Sequence, residues 1–293
     1  MRTVALRNPA VQRLRRLARQ REARQQEGAF VVEGAKLLGE ARHAGAVIDT
    51  VFLEPGSARA VDHELARECE QDGLRVIEVQ PDALARVLDT VTPQPIAAIV
   101  QSVHRPLDAE TSASLVLVLA GISDPGNAGT LIRSASGAGA DLVLLCKPSV
   151  DLYNPKTVRA TAGAIFHVPV ATDVEFGQAL DFLRQAGTTV WGTAAHGGID
   201  YSQADLSGPC ALVLGNEAHG IPDHVPGVLD GLLTVPMSDG TESLNAAIAG
   251  SILCFEAARQ RREAPLPAQS AQSGRAPQTS QAARATRSVR GAA

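Results

Sequence analysis

Three short segments in the C-terminal half carry residue types that could do chemistry together. The first, SDPGNAGTLIRSASGAGA (123–140), holds Asp124, Asn127 and, six residues further on, Arg133. Asp124, Pro125, Gly126 and Asn127 form a turn, and a helix opens at about Asn127, a good cap residue. The second, LGNEAHGI (214–221), contains Gly215, which lets a ligand approach the backbone, and Glu217. The pattern predicts a helix over 217–228, begun by Glu217, where the helix dipole favours a carboxylate. In the third, VPMSDGTESLNAAIAG (235–250), Pro236 stops a strand and Ser238, Asp239, Gly240 and Thr241 make a polar turn. Ser243 or a neighbour then caps a helix whose first turn carries Leu244 and Asn245. Taken singly, each segment also has a plain structural reading: Asn127 and Ser243 as caps, Glu217 as a helix-start acid, Arg133 as a surface charge.

Other chemistries lack their signatures. No G-x-G-x-x-G joins a first strand to a helix, and there is no Walker A, H-E-x-x-H or G-x-S-x-G. SGAGAD (136–141) precedes a strand, so it reads as a helix-to-strand turn. The histidines (43, 63, 104, 167, 196, 219, 224) show no metal-ligand spacing. Cys69, Cys146, Cys210 and Cys254 lie far apart, which argues against a zinc site or a disulfide framework and fits a reducing cytoplasm.

Elements that could position the three segments alternate regularly. Strands are expected at LVLVLAGI (115–122), 141–146, 167–172, 188–194, 210–216 and 231–237. Helices fall between them near 127–137, 155–163 and 174–186, and a last one at 243–262. This is a mainly parallel sheet with helices on both faces, and ligands bind such sheets at the carboxyl ends of the strands. Ahead of it, a helix at 9–26 and the strands and helices of 29–103 make a smaller α/β unit. The expected division is 1–106, 107–263 and a disordered basic tail, 264–293, rich in Ala, Gln, Ser, Pro and Arg.

The whole chain has 293 residues, 45% hydrophobic and 20% charged, enough for a sizeable core without staples. No apolar run reaches the length of a membrane span, and the N-terminus lacks a secretory h-region. The net charge of −4 conceals an asymmetry. Residues 1–24 hold eight Arg against Glu22, and 259–293 hold seven Arg against Glu263, while the body between is acidic. Basic ends on an acidic body suggest a polyanionic partner gripped at the ends, or a solvated helix and tail.

Together N-A-G-T-x-x-R (127–133), L-G-N-E-A-H-G (214–220) and S-L-N-A-A-I-A (243–249) resemble the SpoU-like branch of the SPOUT superfamily, RNA ribose 2′-O-methyltransferases. The N-terminal part, with EGAFVVEGAKLLGEA and DTVTPQPIAAIV, resembles that family's L30e-like substrate-binding domain. The resemblance implies a trefoil knot in the C-terminal sheet and S-adenosyl-L-methionine as cofactor. It assigns the cofactor to Thr193, Gly215, Val235 and Leu244, and polar site roles to Asn127, Arg133, Glu217, Ser243 and Asn245. A guanidinium is a poor base, so Arg133 is expected to grip a phosphate and orient the ribose hydroxyl, held by Asn127 and Glu217. Ala218 stands where many members have Gly, and Ala246–Ala247 where many have Val–Ser. The resemblance further implies an RNA partner (ribosomal RNA favoured over tRNA), no DNA or membrane partner, and a cytoplasmic homodimer formed through the C-terminal part. Rival readings are a catalytically silent RNA-binding assembly protein and a nucleotide-cofactor oxidoreductase.

Overall fold

The computed structural model describes residues 3–88, 90–108, 113–221, 229–238 and 243–264. The N-terminal part is built from α1 (Pro9–Arg19), α2 (Arg21–Glu27), β1 (Ala29–Glu33), α3 (Ala35–His43), β2 (Ile48–Leu53), α4 (Ala60–Gln71), β3 (Arg75–Glu78), α5 (Ala83–Val87) and β4 (Ile96–Gln101). Its strands form one sheet in the order β1-β4-β2-β3, with β4 antiparallel to both neighbours and β2 parallel to β3. Val11, Leu14 and Leu17 recur on one side of α1 and are fully buried. The single helix expected over 9–26 is instead two. Gln20 is extended, and the break turns α2 so that Arg24 points inward, where it is buried.

The second sheet follows from β5 (Leu115–Ala120), α6 (Pro125–Ala138), β6 (Leu142–Cys146), α7 (Pro155–Thr161), β7 (Val170–Val174), α8 (Phe176–Gln185), β8 (Thr189–Thr193), β9 (Ile199–Asp200), β10 (Cys210–Gly215), β11 (Gly231–Thr234) and α9 (Ala246–Glu263). Its order is β7-β6-β5-β10-β8-β11-β9, and every pairing among the described strands is parallel. Leu115, Leu117 and Leu119 pack into one hydrophobic cluster and Val116 and Val118 into another, so β5 is buried on both faces. The chain leaves β5 toward β6 and β7, then crosses back to β8 and β10. The order therefore reverses between β5 and β10, where an open α/β sheet presents its ligand crevice.

Three expectations shift. The helix after β5 starts at Pro125 with Asp124 as its cap, not Asn127, because the Asp124 carboxylate reaches Asn127 N at 2.8 Å. Residues 217–220 form no helix: Asn216 and Gly220 exchange backbone hydrogen bonds of 2.9 and 2.8 Å and close a tight turn. The last helix is capped by Asn245, whose Oδ1 accepts from Ala247 N and Ile248 N at 2.8 and 3.3 Å, so Ser243 stands outside it. The rest of the expected 217–228 helix, the turn at 239–241 and the basic tail from 265 lie outside the described residues. So does part of the stretch after β8 to which the trefoil crossing would belong.

Candidate active site

Register brings the first two motif segments together. Ala120 pairs with Gly215, so β5 and β10 end at the same level and their following loops run side by side. Glu217, from the second loop, reaches across to the first. Its carboxylate accepts from Asn127 Nδ2 at 3.0 Å, Ser123 Oγ at 3.0 Å, and the backbone N–H groups of Ser123 and Asp124 at 3.3 Å each. Burial pushes this carboxyl up, but the hydrogen bonds from Asn127, the backbone and Ser123 outweigh it and hold it at about 2. Asn245 brings in the third segment, donating from Nδ2 to Asn127 Oδ1 at 3.0 Å. Glu217, Asn127 and Asn245 are thus one chain of hydrogen bonds across three loops, ending in the cap of α9.

Against this chain lies a cleft of about 390 Å³ at the ends of β8, β10 and β11. Thr193, Gly215, Val235 and Leu244 line it, as do Glu217, Ser243 and Asn245. Gly215 is required there by its own loop: a Cβ would stand 2.2 Å from the Gly220 carbonyl carbon. Volume and lining, apolar with a few converging polar groups, suit a small organic cofactor.

Arg133 is not part of this constellation. It is exposed, does not line the cleft, and bonds to neither Asn127 nor Glu217 among the described residues, which bond to each other instead. Six residues along a helix of 3.6 per turn is about 240° of rotation, so Arg133 leaves α6 on a different side from Asn127. Motif reading passed over Asn216, which ties the site's backbone. Its Nδ2 donates to Gly121 O at 2.8 Å, and its Oδ1 accepts from Ala218 N, His219 N and the His219 ring at 2.9, 3.1 and 3.0 Å. Ser123 was also missed. The clue was its place directly after a strand at the order reversal, which only the topology reveals.

Thiol chemistry is not available nearby. Burial pushes Cys146 and Cys254 up to about 12, and all four cysteines are buried and free. Among the described residues no group of His, Cys, Asp and Glu could hold a metal ion, and no helix is long and apolar enough to cross a membrane.

Known proteins resemble this chain in sequence and fold. Residues 114–255 match the SpoU rRNA Methylase family, and residues 8–98 match the MRM3-like substrate binding domain. The 23S rRNA (guanosine(2553)-2′-O)-methyltransferase RlmP of Bacillus subtilis is 33% identical over 80% of this chain and 90% of its own length. The AdoMet-bound rRNA methyltransferase of Sinorhizobium meliloti superposes with a TM-score of 0.76 at 31% identity, covering 88% of this chain and 97% of that one. The SpoU methyltransferase AviRb of Streptomyces viridochromogenes, in complex with AdoMet, gives 0.77 at 28% identity, covering 88% and 100%. With its three motif loops gathered at one crevice and its match to both parts of these relatives, the chain belongs to the SpoU family of S-adenosylmethionine-dependent rRNA methyltransferases.

Proposed function

We propose that the protein methylates a ribose 2′-hydroxyl in structured RNA, ribosomal RNA first of all, as a cytoplasmic homodimer. Residues 1–106 serve as the substrate-binding part and 107–263 as the transferase, with the basic tail as a further RNA contact. The observation that carries the reading is the Glu217–Asn127–Asn245 chain, fixed across three loops beside a cleft of cofactor size. Thr193, Gly215, Val235 and Leu244 would hold S-adenosylmethionine, which supplies an electrophilic methyl group.

The chain's own residues then position the nucleophile. Glu217 spends its carboxylate on four donors and sits at about 2, so it acts as a brace and not as a base. Each amide NH₂ has two donors. Asn127 and Asn245 each commit one within the chain and keep one to turn toward the ribose or its phosphate. Ser243, exposed at the cleft, adds a hydroxyl. Holding the reacting groups in line can contribute roughly 7–11 kcal/mol.

Arg133 finds its place in the dimer. Ile248 and Phe255 lie seven residues apart on α9 and are about half exposed, forming an apolar stripe. The Phe255 ring lies 3.3 Å from the Cβ position of Gly137, one turn after Arg133 on α6. A second copy docked on this stripe covers it and takes Arg133 as a phosphate grip at its own cleft. Arg133→Ala is therefore expected to cut methyl transfer to RNA by at least about a hundredfold, as for loss of a charge-stabilising donor, while S-adenosylmethionine still binds. Tritiated methyl transfer to unmodified ribosomal RNA, with calorimetry of cofactor binding, tests this; unchanged turnover in the variant would remove Arg133 from the mechanism.

A further inference from the structure

A second cleft, of about 300 Å³, opens at the carboxyl ends of β6 and β7 and is closed by α2 and the chain leaving β4. Arg24, 5% exposed, lies in its wall. Its Nε and Nη2 donate to Asp151 Oδ2 at 2.9 and 2.6 Å, and Nη1 donates to Leu17 O at 2.7 Å. A guanidinium has five N–H groups, so this buried cation is not saturated by those three bonds. Arg21 and Lys147, both exposed, line the same cleft. Their acidic neighbours are solvent-exposed pairs, Arg21 with Asp173 at 3.8 Å and Lys147 with Glu175 at 3.1 Å, which an incoming anion can displace. Within the lining, three basic side chains stand beside two carboxylates, Asp151 and Asp173, with Glu175 paired to Lys147 just outside.

A neutral donor completes the set. Tyr153 Oη accepts the backbone N–H groups of Val103 and His104 at 2.8 Å each and lies 2.9 Å from His104 Nδ1. The Ser102 side chain bonds the same hydroxyl, so Tyr153, His104 and Ser102 form one polar cluster in the wall. Leu145, Pro148 and Val150 supply apolar wall between these polar groups. Gly121 stands between this cleft and the candidate active site, bonded to a residue on each side. Gly121 N donates to Ser149 Oγ at 3.1 Å on the side of this cleft, and Gly121 O accepts from Asn216 on the other. A Cβ on Gly121 would lie 3.7 Å from Asn216 Cβ and 3.8 Å from Pro148 O.

We infer that this second cleft is a subsite for a phosphodiester and its nucleoside in the substrate RNA strand, next to the nucleotide presented at the first cleft. The inference rests on the RNA reaction proposed above. Cations at the rim meet the phosphate, the His104 ring and the serine hydroxyls meet ribose or base edges, and the apolar wall meets the base. Ser149, Gly121 and Asn216, bonded in series, separate the two clefts, so a single RNA strand can reach both.

The test is the double variant Arg21→Ala/Lys147→Ala, whose side chains are exposed and outside the core. Anisotropy of a short fluorescein-labelled single-stranded RNA should show affinity weakened about tenfold, and the slope of log affinity against log salt should shrink by about 1.4, about 0.7 per lost phosphate contact on a single strand. In tritiated methyl transfer the RNA KM should rise similarly with kcat within about twofold, the pattern of lost ground-state binding. S-adenosylmethionine affinity should not change. Unaltered RNA affinity and salt slope would overturn the subsite. Adenosine 5′-monophosphate is the second arm: if it binds the wild type and not the double variant while RNA binds both equally, the cleft takes a free nucleotide and the RNA reading is overturned. Absence of methyl transfer by the wild type would count against the proposed reaction alone, since anisotropy decides the subsite independently.

Discussion

Glu217 shows how a single side chain can hold the site in one shape. Its carboxyl is held at about 2, below the ordinary 4.5, so the fold binds the ionised form better than the unfolded chain does. That stabilisation is complete above about pH 4.5 and is lost as pH falls to about 2. The gap in Tm between wild type and Glu217→Gln should then be constant from neutral pH to about 5 and close as the solution is acidified further. A gap independent of pH down to 2 would mean that ionisation of Glu217 contributes nothing to the fold. Much of this was visible in the sequence: Asn127, Glu217 and Asn245 stand out through the three motifs. Their mutual bonding was not visible, because it depends on Ala120 meeting Gly215 across a parallel pair. Arg133 differs: six residues of helix turn it away from Asn127 and leave it exposed in its own protomer, so the role proposed for it depends on a second copy.

At the scale of elements, α6 is the hinge of the site's construction, pressed between α7 and α9. Gly129 permits the first contact: a Cβ there would lie 2.5 Å from Ala160 Cβ and 2.6 Å from Thr157 O. Gly250 permits the second, with a Cβ 2.4 Å from Leu131 Cδ2 and 2.5 Å from Leu214 Cδ2. Two competing effects decide the outcome of Gly129→Ala. Helix propensity favours Ala by up to about 1 kcal/mol, while overpacking costs about 1–3 kcal/mol. The obstacle includes a backbone carbonyl, so overpacking wins and thermal melting should fall; a rise in Tm would show that the helices separate easily. The alternation of strands and helices was legible from hydrophobic runs, and β5 with its doubly buried LVLVLA was the clearest case. The two breaks in expected helices were not, since Gln20 is extended to let Arg24 reach Asp151 and Asn216 folds back on Gly220, both long-range or loop-closure effects.

For the molecule as a whole, contacts between its N-terminal and C-terminal parts set stability. Arg24 and Asp151 are 5% and 13% exposed and join residues 127 apart. Asp151→Ala leaves a buried guanidinium without its partner and should cost about 3–5 kcal/mol, read by chemical denaturation. A loss below about 1 kcal/mol would show that the pair is hydrated. The apolar stripe on α9 makes a prediction about association: Phe255→Asp should shift sedimentation from dimer to monomer with the melting curve little changed, since Phe255 is half exposed. A wild-type monomer at all concentrations would refute the dimer.

One hydrophobic cluster contains Phe30, Leu38, Ile96 and Val100 from the N-terminal part together with Leu117, Leu131, Tyr153 and Leu212 from the C-terminal part. Phe30 stacks on Tyr153 with centroids 4.5 Å apart, and the Tyr153 hydroxyl fastens the backbone at Val103 and His104. Limited proteolysis between the halves should therefore yield a nicked species whose fragments stay associated through native electrophoresis and part only in denaturant. Either half expressed by itself should precipitate unless the other is supplied in the same cell.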